Sequence, residues 1–240
     1  MHEFLKQVLD AHGGLARWNS YRQLAATVVS GGELWGRKGI TIDDTPRRVT
    51  ADTSAQRSTI TPYGAPEFTM TFTPQRLVIE NAAQAVIAER DNPRAAFAGH
   101  ELDTPWDPLH RAYFSGYALW SYLAAPFMLA LPGVQVEEVA PWDENGETWR
   151  VLRATFPDGF AGHSQVQDFY FGPDLLMRRF DYQVDISGSF LTAQYLYNYI
   201  EVDGFRFPTK RRAHVRRTDG RADFEHTWVW IEQRDYQLIK

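Results

Sequence analysis

The chain has 240 residues, 44% hydrophobic and 23% charged, so it can build a sizeable core and does not have the composition of a disordered protein. The net charge of −5 gives no general attraction for nucleic acid. The absence of cysteine excludes disulfides, thiol nucleophiles and cysteine-ligated metals. Aromatic residues make up 14% of the chain, and such residues favour strands and line apolar pockets.

Residues 1–24 are predicted to be helical. Apolar residues at helical spacing indicate a short amphipathic helix over Glu3–His12, ended by Gly13-Gly14, and a further helical turn within Leu15–Leu24. The opening residues lack the basic and apolar regions of a secretory signal peptide. We therefore expect a cytoplasmic protein if the chain is complete, and a periplasmic one if a leader has been removed.

Residues 25–90 are predicted to form the first half of a β-sheet. Two adjacent glycines, Gly31 and Gly32, are expected to bend its first strand. Phe68, Met70 and Phe72 alternate with threonines, which indicates a sheet with one buried and one hydrated face. The expected strands are Ala25–Trp35, Gly39–Asp43, Arg47–Ala51, Gln56–Thr61, Glu67–Thr73, Arg76–Glu80 and Ala85–Glu89.

Residues 107–132 are predicted to form a helical lid. Asp107-Pro108 is a typical helix start, and no charged residue occurs from Ala112 to Val136. The apolar part, Tyr117–Leu131, is shorter than the ~20 residues that a membrane span requires. We therefore expect no transmembrane span, but a helix with Trp120 and Phe127 buried against the concave face of a curved sheet.

Residues 148–236 are predicted to form a long antiparallel meander joined by tight turns. Asp203-Gly204, between two aromatic runs, is the strongest hairpin signal in the chain. The expected strands are Thr148–Phe156, Gln165–Phe171, Leu176–Ile186, Tyr195–Val202, Phe205–Val215 and Phe224–Ile231. The whole chain is expected to be a single domain of the mainly β (α+β) class. Its large curved antiparallel sheet, or incomplete β-barrel, should have about 10–12 strands with helices covering the concave side.

Alternation predicts which side chains share a face of the meander. Phe180 and Tyr182 are expected on one face of their strand, opposite Met177 and Arg179; Trp228 and Trp230 are expected together, opposite Val229 and Ile231. Aromatic residues gathered on one side of a curved sheet either fill it or line a cavity for an apolar guest. Both interpretations stay open at this point.

The meander resembles a known family. Its Pro157-Asp158-Gly159 and Gly172-Pro173-Asp174 turns, and the run from Asp203-Gly204 to Phe207-Pro208-Thr209, are similar to those of bacterial outer-membrane lipoprotein-sorting proteins, in the superfamily of the lipoprotein carriers LolA and LolB. The resemblance covers about Trp149–Ile231. It implies an incomplete, strongly curved antiparallel barrel with helices over its open side. It also implies a protein that carries lipid or acyl chains in an apolar hollow, without catalysis.

Two classes of function stay open. The first is a non-enzymatic binding protein without a cofactor, which holds a hydrophobic, lipid-like ligand between sheet and lid. Its expected wall comprises Met70, Phe72, Trp120, Tyr182, Tyr197, Trp228 and Trp230. The second is a small hydrolase, isomerase or cyclase that acts on a hydrophobic substrate through a cavity histidine and a carboxylate. The candidates for that chemistry are His163, His226 and Asp168.

Two further polar groups have both functional and structural interpretations. A basic ribbon within Gly204–Arg221 is suited either to an anionic partner or to protecting a sheet edge; it includes Arg206, Lys210, Arg211, Arg212, Arg216 and Arg217. We expect no nucleic acid, because no aromatic residue is interleaved with the ribbon after Phe207. The group His100, Glu101, Asp103, Asp107 and His110 matches no known metal motif, so we expect no metal.

Overall fold

A computed structural model describes residues 2–41 and 43–240. The N-terminal half contains helices α1 (Glu3–Ala11), α2 (Leu15–Trp18) and α3 (Glu33–Arg37), and strands β1 (Gln23–Gly31), β2 (Arg47–Asp52), β3 (Ser58–Thr61), β4 (Thr69–Phe72), β5 (Arg76–Glu80) and β6 (Val86–Asp91). Between the halves lie a 3-10 helix (Pro93–Phe97), helix α4 (Pro108–Ala124) and a second 3-10 helix (Phe127–Ala130). The C-terminal half contains β7 (Gln135–Glu144), β8 (Glu147–Thr155), β9 (Val166–Phe171), β10 (Met177–Val184), a 3-10 turn (Asp185–Ser187), β11 (Phe190–Val202), β12 (Phe205–Arg216), β13 (Ala222–Asp223) and β14 (Val229–Ile239).

These strands form one antiparallel sheet of 14 strands. Their order in space is β6-β5-β4-β3-β2-β1-β14-β12-β11-β10-β9-β8-β7, with β13 beside β12. Strands β1 and β14 pair and thereby join the two halves. The sheet does not close, because β6 and β7 are its two edges, and it curves around α4. The predicted curved antiparallel sheet with a helical cover is confirmed, although the predicted strand number is too low.

The order of the meander strands and the hairpin turn at Asp203-Gly204 agree with the prediction. Strands β7 to β12 pair in sequence order, and the hairpin β11–β12 closes at Val202 opposite Phe205. Asp203 and Gly204 between them have φ values of 50° and 77°. Two consecutive positive φ values belong to the type I′ turn, whose twist matches that of the flanking strands.

Several predicted strand boundaries are wrong. Residues Ala25–Trp35 do not form one strand, because the chain leaves the sheet after Gly31 and Trp35 lies in α3. In the predicted strand Gly39–Asp43, the structure shows no strand at residues 39–41 or 43, and Ile42 lies outside the described residues. The last long strand begins at Val229 rather than Phe224 and continues to Ile239, and β7 had no sequence prediction.

Helix α4 lies on the concave face of the sheet, closest to β2, β3 and β4. The side chain of Asp107 accepts a hydrogen bond from the backbone N–H of His110 (2.7 Å) and caps the helix, as its sequence predicts. A Cβ atom on Gly116 would lie 2.5 Å from Cβ of Phe72, so this glycine permits the close approach to β4. Trp120 and Phe127 are buried as predicted. Within the described residues, no helix combines the length and the hydropathy needed to cross a bilayer.

Two of the predicted side-chain faces are wrong. The pairing of β10 with β9 shifts register between Met177 and Arg179. Met177 consequently joins Phe180 and Tyr182 in the apolar core, which corrects the predicted face of Met177. In β14, Val229 and Ile231 belong to that core, whereas Trp230 is half-buried outside it. The expected pairing of Trp228 with Trp230 on one face is therefore wrong, because Trp228 precedes the strand and packs into the core.

Candidate functional site

Seven buried polar side chains form one hydrogen-bonded cluster between α4 and strands β10, β11, β12 and β14. The members of this buried polar cluster are Tyr117, Tyr122, His163, Tyr182, Gln194, Arg211 and Gln233, each no more than 5% exposed. Hydrogen bonds link them in the order Tyr117, His163, Tyr122, Tyr182, Gln194, Arg211 and Gln233. Burying polar groups costs free energy unless they are hydrogen-bonded. The cluster therefore differs from the apolar side chains that pack around it.

The end of α4 creates one acceptor in the cluster. The backbone carbonyl of Tyr122 would ordinarily accept from the N–H four residues later, but that residue is Pro126, which has no N–H. Nη2 of Arg211 donates to this carbonyl instead, at 2.6 Å. A side chain of β12 therefore completes the C-terminal turn of α4.

His163 occupies the centre of the cluster. Its ring stacks on Tyr182 with centroids 3.8 Å apart, Nδ1 lies 3.1 Å from the hydroxyl of Tyr117, and Nε2 lies 2.9 Å from that of Tyr122. A neutral imidazole has one N–H and one lone pair, so one tyrosine donates to it and the other accepts. Burial, assisted by the charge of Arg94, lowers the pKa of His163 to about 3, which keeps the ring neutral.

Arg211 is the only charged member of the cluster. Besides the carbonyl of Tyr122, it donates to the amide oxygens of Gln233 (Nε, 3.0 Å) and Gln194 (Nη1, 3.1 Å). Burial lowers the pKa of Arg211, but a guanidinium remains protonated in proteins. Among the described residues no carboxylate forms an ion pair with it, so a positive charge lies in the core with only neutral partners.

The buried His163 predicts how stability depends on pH. Its pKa is lower in the folded protein than in the unfolded chain, so the unfolded chain takes up a proton first as the pH falls below about 6.5. Wild-type protein should therefore lose about 2 kcal/mol more unfolding free energy between pH 7 and pH 5 than a His163→Gln variant. Denaturant titrations at both pH values test this. Equal losses of unfolding free energy in the two proteins would contradict the expectation. The similarly lowered pKa of His12 contributes equally to both proteins.

A cleft of about 370 Å³ opens beside the cluster. It lies between the β8–β9 loop, the 3-10 helix Pro93–Phe97 and α4, and it is lined in part by Tyr113, Phe156 and Phe160. The ring of Tyr113 lies 5.3 Å from that of Tyr117, between centroids. The ring of Tyr113 therefore separates the cleft from Tyr117 at the edge of the buried polar cluster.

The structure divides the expected ligand wall. Met70, Phe72, Trp120, Tyr182 and Trp228 all lie in the apolar core on the concave side. Tyr197 is 38% exposed and stacks beside Tyr195 on the convex side, with Nζ of Lys210 5.7 Å from its ring. Trp230 also lies outside the core, because it alternates with Val229 and Ile231. The first five residues thus belong to one apolar core, whereas Tyr197 and Trp230 lie outside it.

The three alternative catalytic residues do not come together. Asp168 is held by Arg153, with Oδ1 2.8 Å from Nε. His226 is exposed and pairs with Glu33 at 3.0 Å. His163 has both ring nitrogens bound to tyrosines, so no carboxylate of residues 2–41 or 43–240 forms an acid–base pair with it.

The basic ribbon is divided by the alternation of β12. Arg211 points into the core, while Arg212 is paired with Glu232, and Arg216 and Arg217 approach Asp181 and Asp223. Arg211 therefore does not belong to a surface on which the basic ribbon could contact an anionic partner. Arg211 lies an even number of residues from Phe205, Phe207 and Ala213 in β12, so its side chain is on the same face as these three buried side chains.

The residues considered for a metal have other roles. Asp107 caps α4, Asp103 pairs with Arg37 at 2.7 Å, and the rings of His100 and His110 lie 4.8 Å apart, between centroids. Over residues 2–41 and 43–240, no group of three or more His, Asp or Glu side chains is arranged to hold a metal ion.

Comparison with known proteins identifies the fold. No protein-family model matches the sequence, and no curated protein matches it. A DUF1329 family protein from Desulfovibrio piger is similar in structure, with a TM-score of 0.58 at 11% identity, covering 99% of this chain and 94% of that one.

Two further solved structures belong to the predicted superfamily or its relatives. A LolA superfamily protein from Nitrosomonas europaea has a TM-score of 0.53 at 9% identity, covering 98% of this chain and 94% of its own. A putative outer membrane lipoprotein-sorting protein domain from Vibrio parahaemolyticus has a TM-score of 0.54 at 10% identity, covering 98% and 91%. The predicted LolA-like fold is confirmed by these likenesses, which concern the fold alone.

Proposed function

We propose that the protein is a non-enzymatic binding protein that takes up a hydrophobic, lipid-like ligand between the concave face of its sheet and α4. The observation that carries this proposal is the buried polar cluster between α4 and the C-terminal strands. A core that served stability alone would contain apolar side chains there, since a buried charge without a charged partner is destabilising. Departures of this kind are expected at functional sites.

The two sides of α4 differ in a way that suits such uptake. Toward β3 and β4 the helix is in close contact, with Gly116 against Phe72 and the hydroxyl of Ser58 donating to the carbonyl of Gly116 at 2.9 Å. On its other side, the hydroxyls of Tyr117 and Tyr122 contact His163 of the β8–β9 loop, the hydroxyl of Tyr122 also contacts Tyr182 of β10, and the carbonyl of Tyr122 accepts from Arg211 of β12. Tyrosine hydroxyls can exchange partners within a partly filled interior, whereas phenylalanine offers no such partners. We infer that the bound ligand lies on the β10–β12 side of the helix.

The cleft beside Tyr113 is the entrance in this proposal. Its apolar lining by Phe156 and Phe160 suits an acyl chain, and Tyr113 in its wall packs against Tyr117 of the buried polar cluster. The names of two structural neighbours, a LolA superfamily protein and a putative lipoprotein-sorting protein domain, are consistent with a lipid-like ligand.

Uptake of a neutral hydrophobic dye, N-phenylnaphthylamine, tests this function. We expect saturable binding to the native protein, with dye fluorescence rising and tryptophan fluorescence quenched. Ala95→Trp should slow or weaken binding, because Ala95 is exposed and lines the cleft. Ala98→Trp is the matched control, since Ala98 is exposed near the same 3-10 helix. Absence of saturable uptake by the wild-type protein would refute the proposal.

A further inference from the structure

We propose, resting on the function above, that the ligand is an amphiphile with an anionic head group, and that Arg211 is the residue that binds this head. The tail would then lie among the apolar side chains of the concave face. Carboxylate and phosphate monoester heads share the chemistry that a guanidinium recognises. The proposal names a ligand class for a site that is otherwise described only as apolar.

The first support is the charge itself. Arg211 is 1% exposed, and its three nitrogens donate to an amide oxygen of Gln233, an amide oxygen of Gln194 and the carbonyl of Tyr122. All three acceptors are neutral. Hydrogen bonds from a guanidinium to an ionised oxygen are shorter and roughly twice as strong. An anion at this position would therefore bind more strongly than the groups that Arg211 now contacts.

The second support is a comparison within the same protein. Arg179 is equally buried, but it contacts the carboxylates of Asp181 (2.6 Å) and Glu144 (3.1 Å) on the convex side. The fold thus provides carboxylates for a buried arginine that has a structural role. Arg211 has none among the described residues, which leaves a charge for a ligand to neutralise.

The third support is the number of donors at the position. A guanidinium has five N–H groups, and the three hydrogen bonds of Arg211 leave two more. Next to it, Nε2 of Gln233 is a buried donor with no hydrogen-bond partner in the part of the chain that the structure describes. A ligand oxygen would compete with the carbonyl of Tyr122 for Nη2 of Arg211. Together these groups present a donor-rich site that suits an anion.

The test compares three amphiphiles with the same chain: laurate, dodecyl phosphate and dodecanol. Calorimetric Kd values would be measured for wild-type protein, Arg211→Met and Arg212→Met. Arg212 is the matched control because it is the next residue, faces the opposite side and carries the same charge. We expect at least one of the two anionic ligands to bind wild type about tenfold or more tightly than dodecanol. Arg211→Met should remove this preference, and Arg212→Met should keep it.

The outcomes separate the two proposals. Preference for laurate alone or for dodecyl phosphate alone identifies the head group and supports the inference. Equal affinity of wild type for all three ligands overturns the inference but leaves the binding function standing. A preference that survives in Arg211→Met also overturns it. If wild type binds none of the three and takes up no dye, both proposals fail. The wild-type comparison does not depend on how any variant folds.

Discussion

Replacing Trp120 by alanine should lower the free energy of unfolding by about 3–5 kcal/mol, the range found for large aromatic residues removed from packed cores. Trp120 is 0% exposed, and its side chain extends from α4 to contact the sheet and the β8–β9 loop. Its indole N–H donates to the carbonyl of Asp52 in β2 at 3.0 Å, and its ring meets that of Phe160 edge to face. The truncation therefore leaves a cavity and removes a buried hydrogen bond.

Trp230→Ala is the control for this prediction. The same side-chain atoms are removed, but Trp230 is half-buried and lies outside the apolar core. We expect a loss of about 1 kcal/mol, the centre of the distribution for point mutations. Urea titrations followed by far-UV circular dichroism give both values. Equal losses in the two variants would show that α4 is not anchored through Trp120.

Local sequence patterns predicted the meander and the lid because the physical causes are local. The turn at Asp203-Gly204 needs two residues that accept positive φ, and both stand in the sequence. The start of α4 needs a capping carboxylate and tolerates proline at its first position, and Asp107-Pro108 provides both. Neither feature depends on a distant contact.

Features that depend on distant contacts were not predictable in this way. The chain leaves β1 because the backbone N–H of Leu34 donates to the carbonyl of Trp228 at 3.0 Å, almost two hundred residues away. Strand β7 is largely exposed and carries four acidic residues, a composition that suits an edge strand but resembles a loop. The buried polar cluster joins residues from α4, a loop and four strands, so no single segment displays it.

Two features of the sequence nevertheless indicate part of the buried polar cluster. In β12, Arg211 alternates in step with Phe207 and Ala213. This spacing puts Arg211 on the buried face although its sequence neighbours are basic. Pro126, four residues after Tyr122, removes the donor for the carbonyl that Arg211 binds. What the sequence lacked was the curvature that brings β12 under the end of α4.

Replacing Arg179 by methionine should destabilise the protein by about 3–5 kcal/mol, since removing one partner of a buried ion pair leaves the buried carboxylate of Asp181 with only the more distant Arg216, at 3.5 Å. Arg179 is 0% exposed, and its Nε and Nη2 contact both carboxylate oxygens of Asp181, at 2.6 and 2.7 Å. It also contacts Glu144 at the end of β7 and the carbonyl of Gly220 in the turn between β12 and β13. One side chain thus joins two separate turns to the convex face.

Arg211→Met should behave differently, although that arginine is equally buried. No carboxylate among the described residues loses a partner, so the loss of three hydrogen bonds is offset by removal of a buried charge. We expect a change of about 2 kcal/mol or less in the unfolding free energy. The contrast between the two variants measures the difference between a paired and an unpaired buried guanidinium.

A double variant shows whether the loss in Arg179→Met comes from the abandoned carboxylate. In Arg179→Met/Asp181→Leu, no buried charge remains of the pair, and apolar replacements of buried ion pairs are often neutral or stabilising. The double variant should therefore recover at least half of the stability lost in Arg179→Met, a coupling that a double-mutant cycle quantifies. If the two losses simply add, the contacts of Arg179 with Glu144 and Gly220, rather than its pairing with Asp181, hold the convex side together.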